Sequence, residues 1–185
     1  MFLEIRRKSA RIPSMAEMAP VSMIADLHLE PLLEALHSAL GNDLLGVVLY
    51  GSHARGEASP GSDVDLLVIA NGLPERRYER AQWLARVEFE SDYTGPQVSI
   101  LGKTREEFER YFPSLYLDIG QDGIVLFDRE EYAAGKLAQI REVIAEAGLV
   151  RTWFDGEMMW EITRPVPDPP GYWGIEWDGY HEYAR

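Results

Sequence analysis

Cysteine is absent from the chain. Its absence excludes a disulfide scaffold, a thiolate zinc site and a cysteine nucleophile, and any metal must be held by oxygen or imidazole. Basic residues are scarce: 18 Lys and Arg stand against 31 Asp and Glu, for a net charge of -13. Such a balance opposes attraction to the phosphates of a long nucleic acid, and favours basic partners or small phosphorylated ligands carried with a cation. No apolar run approaches the roughly 18 residues that a membrane span requires. Arg6, Arg7 and Lys8 open the chain, but Arg11, Pro13, Glu17 and Pro20 interrupt the residues after them, so no signal-peptide apolar region forms. The expected location is cytoplasmic. Internal repeats and low-complexity tracts are also missing.

The residues present suffice for a core. With 185 residues, 46% hydrophobic and 26% charged, the composition is that of an ordinary globular chain. The length suits one domain with appendages. Residues 1–25 hold four of the six methionines and show neither helical nor strand period, which reads as a loosely held leader. From 26 to about 150 the pattern is that of a folded domain. Leu29, Leu32, Leu33, Leu36 and Leu40 recur at helical steps, with Pro31 near the start and Gly41 after the end. Leu44–Tyr50 and Val64–Ala70 are short, nearly continuous apolar runs bounded by turn residues, as expected of strands covered on both faces. The charged segment 74–92 carries Tyr78, Trp83, Leu84, Val87 and Phe89 and predicts a surface helix with one packed side. A third strand is expected over 97–101, then a helix start at Thr104 with Glu106 and Glu107, helical patterns to about 121, an apolar piece at 124–127, and a helix from Arg129 closed by Gly148. Strands alternating with helices point to an α/β (α+β) fold, a small mixed sheet flanked by helices.

Residues 151–185 differ. They contain four of the five tryptophans and the prolines Pro165, Pro167, Pro169 and Pro170. Two readings stand: an irregular tail whose rings lie back on the domain or on a second copy of the chain, and an aromatic docking surface for a partner.

The chemistry-bearing segment is Gly51-Ser52-His53-Ala54-Arg55-Gly56, a polar loop through Ser62, and Asp63-Val64-Asp65 at the opening of the second strand. Residues two apart on a strand share a face, so both carboxylates point to one place. They repel unless a cation lies between them, and magnesium, commonly held by one or two carboxylates plus phosphate oxygens, suits such a pair. Gly51 lets the backbone approach a phosphate, Ser52 supplies an amide and a hydroxyl, and Arg55 adds charge for a phosphate tail or pairs with Glu57. Taken singly, the two Asp could be a turn cap and an edge-strand residue. His53 reads as a solvated loop residue. His28, His37 and His181 show no metal spacing. Asp118, Asp122 and Asp128 read as helix-end and turn residues, and Lys103 as exposed.

This pattern resembles the minimal nucleotidyltransferases of the DNA polymerase beta superfamily, whose signature of apolar strand, Gly-Ser, spacer and Asp-x-Asp is matched by Tyr50-Gly51-Ser52 and Ser62-Asp63-Val64-Asp65-Leu66. The string Gly-Ser-x-Ala-Arg-Gly is matched as well, and a looser likeness runs from about Leu29 to Gly148. The resemblance implies a polymerase-beta-like fold and transfer of a nucleoside monophosphate, AMP from ATP, to an acceptor hydroxyl. It implies Mg2+ or Mn2+ on Asp63 and Asp65, and nucleotide contacts from Gly51, Ser52, Arg55 and Ser62. It also implies a role as an antitoxin that modifies a HEPN-type toxin, a basic protein partner. In one place the sequence departs from the family: the third carboxylate of the next strand is replaced by Ser99, in Val98-Ser99-Ile100. A serine is a poor general base and a weak metal ligand. Glu88, Glu90 or Asp92 could stand in for the missing acid; alternatively the protein is a weak or inert relative that binds nucleotide or a partner.

Overall fold

A computed structural model describes residues 26–155, 157–163 and 172–183. The expected leader, residues 1–25, and the proline cluster at 165–170 lie outside the described residues. A four-stranded sheet organises the chain. Its strands are β1 (Leu44–Tyr50), β2 (Val64–Ala70), β3 (Val98–Lys103) and β4 (Ile124–Asp128), in the order β3-β2-β1-β4. β1 runs antiparallel to both β2 and β4, and β2 runs parallel to β3. The continuous apolar character of β1 and β2 comes from their place: both are central, and both faces of the sheet are covered.

Helix α1 (Glu30–Leu40) carries Pro31 in its first turn and ends at Gly41, whose φ is 53°. Leu32, Leu36 and Leu40 form its buried stripe, each worth about 1.5–3 kcal/mol of removal from water. Helix α2 (Gly51–Arg55) begins directly after β1. Helix α3 (Arg77–Glu90) packs Leu84 and Val87 with α1 on one face of the sheet, against Val47, Leu49, Leu66 and Val68. The charged helix expected at 74–92 is therefore present, but its apolar list divides: Tyr78 and Phe89 point into solvent while Arg80 is buried. Arg80 is tolerated inside because its guanidinium is fully used. It pairs with Glu107 and donates to the carbonyls of Pro74 (2.8 Å) and Gly102 (3.1 Å).

The other face is covered by α4 (Arg105–Arg110), α5 (Leu115–Asp122) and α6 (Tyr132–Ala147). Thr104 and Glu107 form a reciprocal capping box on α4, in which the Thr104 hydroxyl accepts from the Glu107 N–H at 3.2 Å. Asp128 accepts from the N–H groups of Ala133 (2.8 Å) and Ala134 (2.9 Å), satisfying donors at the start of α6. Gly148, with φ 66°, closes that helix as expected.

The described part of residues 151–185 is not irregular. It belongs to two antiparallel hairpins, β5 (Leu149–Phe154) with β6 (Glu157–Ile162), and β7 (Tyr172–Glu176) with β8 (Gly179–Tyr183). Trp177, at the β7–β8 turn, sits among Phe108, Phe112 and Tyr116 at centroid distances of 5.1–5.8 Å, with the Lys136 ammonium 4.7 Å from its ring. Trp160 packs on the same side of the domain. Trp153 and Phe154, at the β5–β6 tip, are by contrast 71% exposed.

Candidate active site

β1 ends at Tyr50, and the chain turns straight into α2 through Gly51 at φ 74°, a conformation that disfavours any residue with a Cβ. A Cβ at Gly51 would also lie 2.3 Å from Oδ2 of Asp65. The bare backbone of the bend therefore rests directly against that carboxylate. Strand pairing explains the meeting: Tyr50 is the register partner of Asp65 on β1, and Ser99 is its partner on β3. Asp65 shares its side of β2 with Leu67 and Ile69, so the carboxylate faces the layer formed by α4, α5 and α6.

The connecting loop is held by its own polar groups. Nε2 of His53 donates to the Ser62 carbonyl at 3.2 Å, which fixes the proton on that nitrogen. The Ser62 hydroxyl accepts from the Ser59 N–H at 2.9 Å and lies 3.1 Å from the Ser59 hydroxyl. Gly56, at φ 73°, reverses the chain after Arg55. Arg55 donates through Nε to Glu57 at 2.7 Å, and its Nη1 lies 3.8 Å from Asp122.

The electrostatics are those of crowded negative charge. Burial, and then the neighbouring Asp63, push the Asp65 carboxyl above its ordinary value, against the opposing pull of His53 and Arg55. Burial together with the Asp65 charge pushes the Tyr50 phenol up to about 12. An added divalent cation would relieve this repulsion. The pair offers only oxygen donors, Asp65 on β2 and Asp63 just before it, close enough for their charges to interact, and such a set fits magnesium or manganese.

Of the residues singled out in the sequence, Gly51, Asp65 and Ser99 are brought together by contact and register, with Asp63 charged beside them and Ser52 and Arg55 on the adjoining helix. Ser62 is also nearby, but its hydroxyl is engaged within the loop. Ser99 is exposed on β3 beside Asp65. Glu88 and Glu90 belong to α3, and Asp92 lies just beyond its end, on the opposite face of the sheet; burial alone raises Glu88, with neither Asp63 nor Asp65 among the causes. Substitution for the missing acid by this group is not supported. Lys103 stands at the far end of β3, about 13 Å along the strand from Ser99. His53 is not a solvated loop residue: it sits half-buried on α2 and ties that helix to the loop at Ser62. Tyr50 and Asp122 take parts at the site beyond the sequence reading. Tyr50 could have been found from its position one residue before Gly51, whereas the approach of Asp122 to Arg55 spans the chain and leaves no local signal.

A mixed sheet that sets a Gly-Ser bend beside an Asp-x-Asp strand defines a class of nucleotide-handling transferase folds. Residues 29–126 match the nucleotidyltransferase domain family. The Methanocaldococcus jannaschii protein named "Putative protein adenylyltransferase MJ1305" is 33% identical over 136 residues, covering 72% of this chain and 91% of that protein. The chain belongs to the nucleotidyltransferase domain family and is a nucleotidyltransferase. Among solved structures, one described as "a putative nucleotidyltransferase from Sulfolobus solfataricus" aligns at 24% identity and TM-score 0.42, covering 60% of this chain and 86% of its own. A toxin–antitoxin complex with AMP-PNP aligns at 18% identity and TM-score 0.46, covering 66% of this chain and 90% of the other. Among the described residues, no helix is long and apolar enough to cross a membrane.

Proposed function

We propose that the chain transfers AMP from ATP to a hydroxyl group of a protein acceptor. The observation that carries this reading is the contact between the Gly51 backbone and the Asp65 carboxylate, with Asp63 beside it. A triphosphate tail lying along the Gly51-Ser52 bend would meet both acids with no side chain in between. Asp63 and Asp65 would hold magnesium or manganese, which when bound neutralises phosphate charge and favours loss of pyrophosphate. Backbone and hydroxyl donors at Gly51 and Ser52 orient the phosphates, Arg55 adds positive charge, and Ser62 with His53 shapes the loop that presents Asp63. In the transfer, the acceptor oxygen bonds to the α-phosphorus while the bond from that phosphorus to the bridging oxygen breaks. Pyrophosphate leaves with the electron pair, and the hydroxyl proton passes to water.

Two observations favour a protein acceptor. The relative at 33% identity bears the name of a protein adenylyltransferase. The net charge of -13 complements a basic surface, and with the family resemblance this nominates a HEPN-type toxin as the partner, which would make the chain its antitoxin. Incubation of such a protein with this chain, ATP and Mg2+ or Mn2+ should give one or more AMP adducts by intact mass. The adducts should vanish for the double variant Asp63→Asn/Asp65→Asn, and unchanged transfer by that variant would remove the acids from the mechanism.

A second reading has a specific basis. Ser99 is the register partner of Asp65, so the strand position that would carry a third acid holds no carboxylate. On this reading the chain binds nucleotide and transfers it slowly. Ser99→Asp should then raise the transfer rate in the same assay; an unchanged rate would show that the missing acid does not limit the reaction.

A further inference from the structure

Arg55 is held from two sides. Its Nε bonds to Glu57 at 2.7 Å, but Glu57 is 56% exposed, and a pair of that kind is screened and weak. Its Nη1 faces Asp122 at 3.8 Å, and Asp122 is only 15% exposed at the end of α5. Asp122 in turn is held by Arg151 of β5, whose Nη1 donates to Oδ1 at 3.0 Å while its Nη2 makes an ion pair with Oδ2 at 2.7 Å. Arg151 also bonds to Asp118 at 3.0 Å, the Trp160 indole N–H donates to the same Asp118 oxygen at 3.0 Å, and the Trp160 ring lies 4.9 Å from the Arg151 guanidinium carbon. The chain of contacts thus runs from the first hairpin, beyond the matched family region, to the helix that begins at Gly51-Ser52.

We propose that Asp122 is a positioning residue for Arg55, and that Arg151 and Trp160 of the β5–β6 hairpin set Asp122 for that task. An arginine side chain left free would have to be ordered at the moment of nucleotide binding, and holding it beforehand removes that entropic cost. The contact at 3.8 Å is long enough to orient the guanidinium by charge without consuming its N–H donors. The hairpin is then part of the nucleotide site without touching nucleotide. This inference rests on the reading of Arg55 as a phosphate contact.

Calorimetric titration with Mg-ATP tests it. Asp122→Asn keeps size and a hydrogen-bonding oxygen for Arg151 but loses the charge, and should weaken Mg-ATP by about 2- to 10-fold. In an Arg55→Gln background the same substitution should change nothing further. Arg151→Met should repeat the Asp122→Asn loss, and Arg151→Lys should recover part of it. Equal weakening by Asp122→Asn with and without Arg55 would overturn the proposal, since Asp122 would then act by another route. If Arg55→Gln binds as well as the parent, the positioning role falls while the nucleotide reading stands. If the parent binds no Mg-ATP, the functional reading fails and the positioning claim is decided without ligand: exchange of the Arg55 Nη protons, which face Asp122, followed by nitrogen-15 NMR, should speed up in Asp122→Asn. Unchanged exchange would overturn it.

Discussion

Replacing Gly51 with alanine perturbs the site at its tightest point. Two costs add. The backbone at φ 74° places an L-residue in the left-handed region, worth about 1–2 kcal/mol. The new Cβ would lie 2.3 Å from Asp65 Oδ2, and forcing an atom into occupied space costs about 1–3 kcal/mol. Because the Asp65 carboxylate ends a short side chain at a half-buried position, part of the overlap is relieved by turning it away. The expected loss is therefore about 2–4 kcal/mol, or roughly 4–16 °C in Tm for a chain of this size. Turning Asp65 away separates it from Asp63, so AMP transfer should fall by more than the stability loss accounts for. Thermal melting and the intact-mass assay, run on the same preparation below its Tm, separate the two effects. A Gly51→Ala protein that melts with the parent and transfers AMP at the parental rate would refute the packing of the bend against Asp65.

The crowding of Asp63 and Asp65 gives a pH signature. Because burial and the Asp63 charge raise Asp65 in the folded state, the fold binds that proton more tightly than the unfolded chain does. Stability thus falls as pH rises from the ordinary value of 3.8 through the raised one, and stays lower above it. In metal-free buffer Asp65→Asn should melt above the parent at neutral pH, with the advantage disappearing at acid pH; equal melting throughout would contradict the crowding. Trp177→Ala should lower Tm by roughly 4–12 °C, for a loss of about 2–3 kcal/mol from the pocket formed by Phe108, Phe112 and Tyr116. An unchanged melt would mean that the β7–β8 hairpin contributes nothing to the domain.

Much of the fold could be read from local pattern because its central elements are extreme. β1 and β2 are so fully buried that their residues form almost unbroken apolar runs, and Gly51-Ser52 and Asp63-x-Asp65 stand at their ends where a turn and a polar face must be. The α1 stripe, the Thr104 cap and the Gly148 stop are visible for the same reason: each is satisfied within a few turns of chain. Long-range pairings are not visible. Nothing local places β1 between β2 and β4, and nothing local says that α3 lies on the face away from Asp65, which removes Glu88 and Glu90 as substitutes for the acid missing at Ser99. The hairpins of the C-terminal region are hidden because short strands rich in Trp and Tyr alternate weakly, and prolines flank them. Arg80 and Arg151 escape notice for a further reason: a buried arginine is tolerated only by partners brought from other elements.

Melting with and without Mg-ATP tests the role of the paired acids most directly. At a hundredfold excess over Kd, binding to the folded state alone adds about 2.7 kcal/mol, or roughly 5–11 °C in Tm. The rise should require the divalent ion and should be lost in Asp63→Asn/Asp65→Asn. A rise of the same size in that double variant, or in the parent with the metal chelated, would contradict the assignment of Asp63 and Asp65 as ligands of a nucleotide-bound cation.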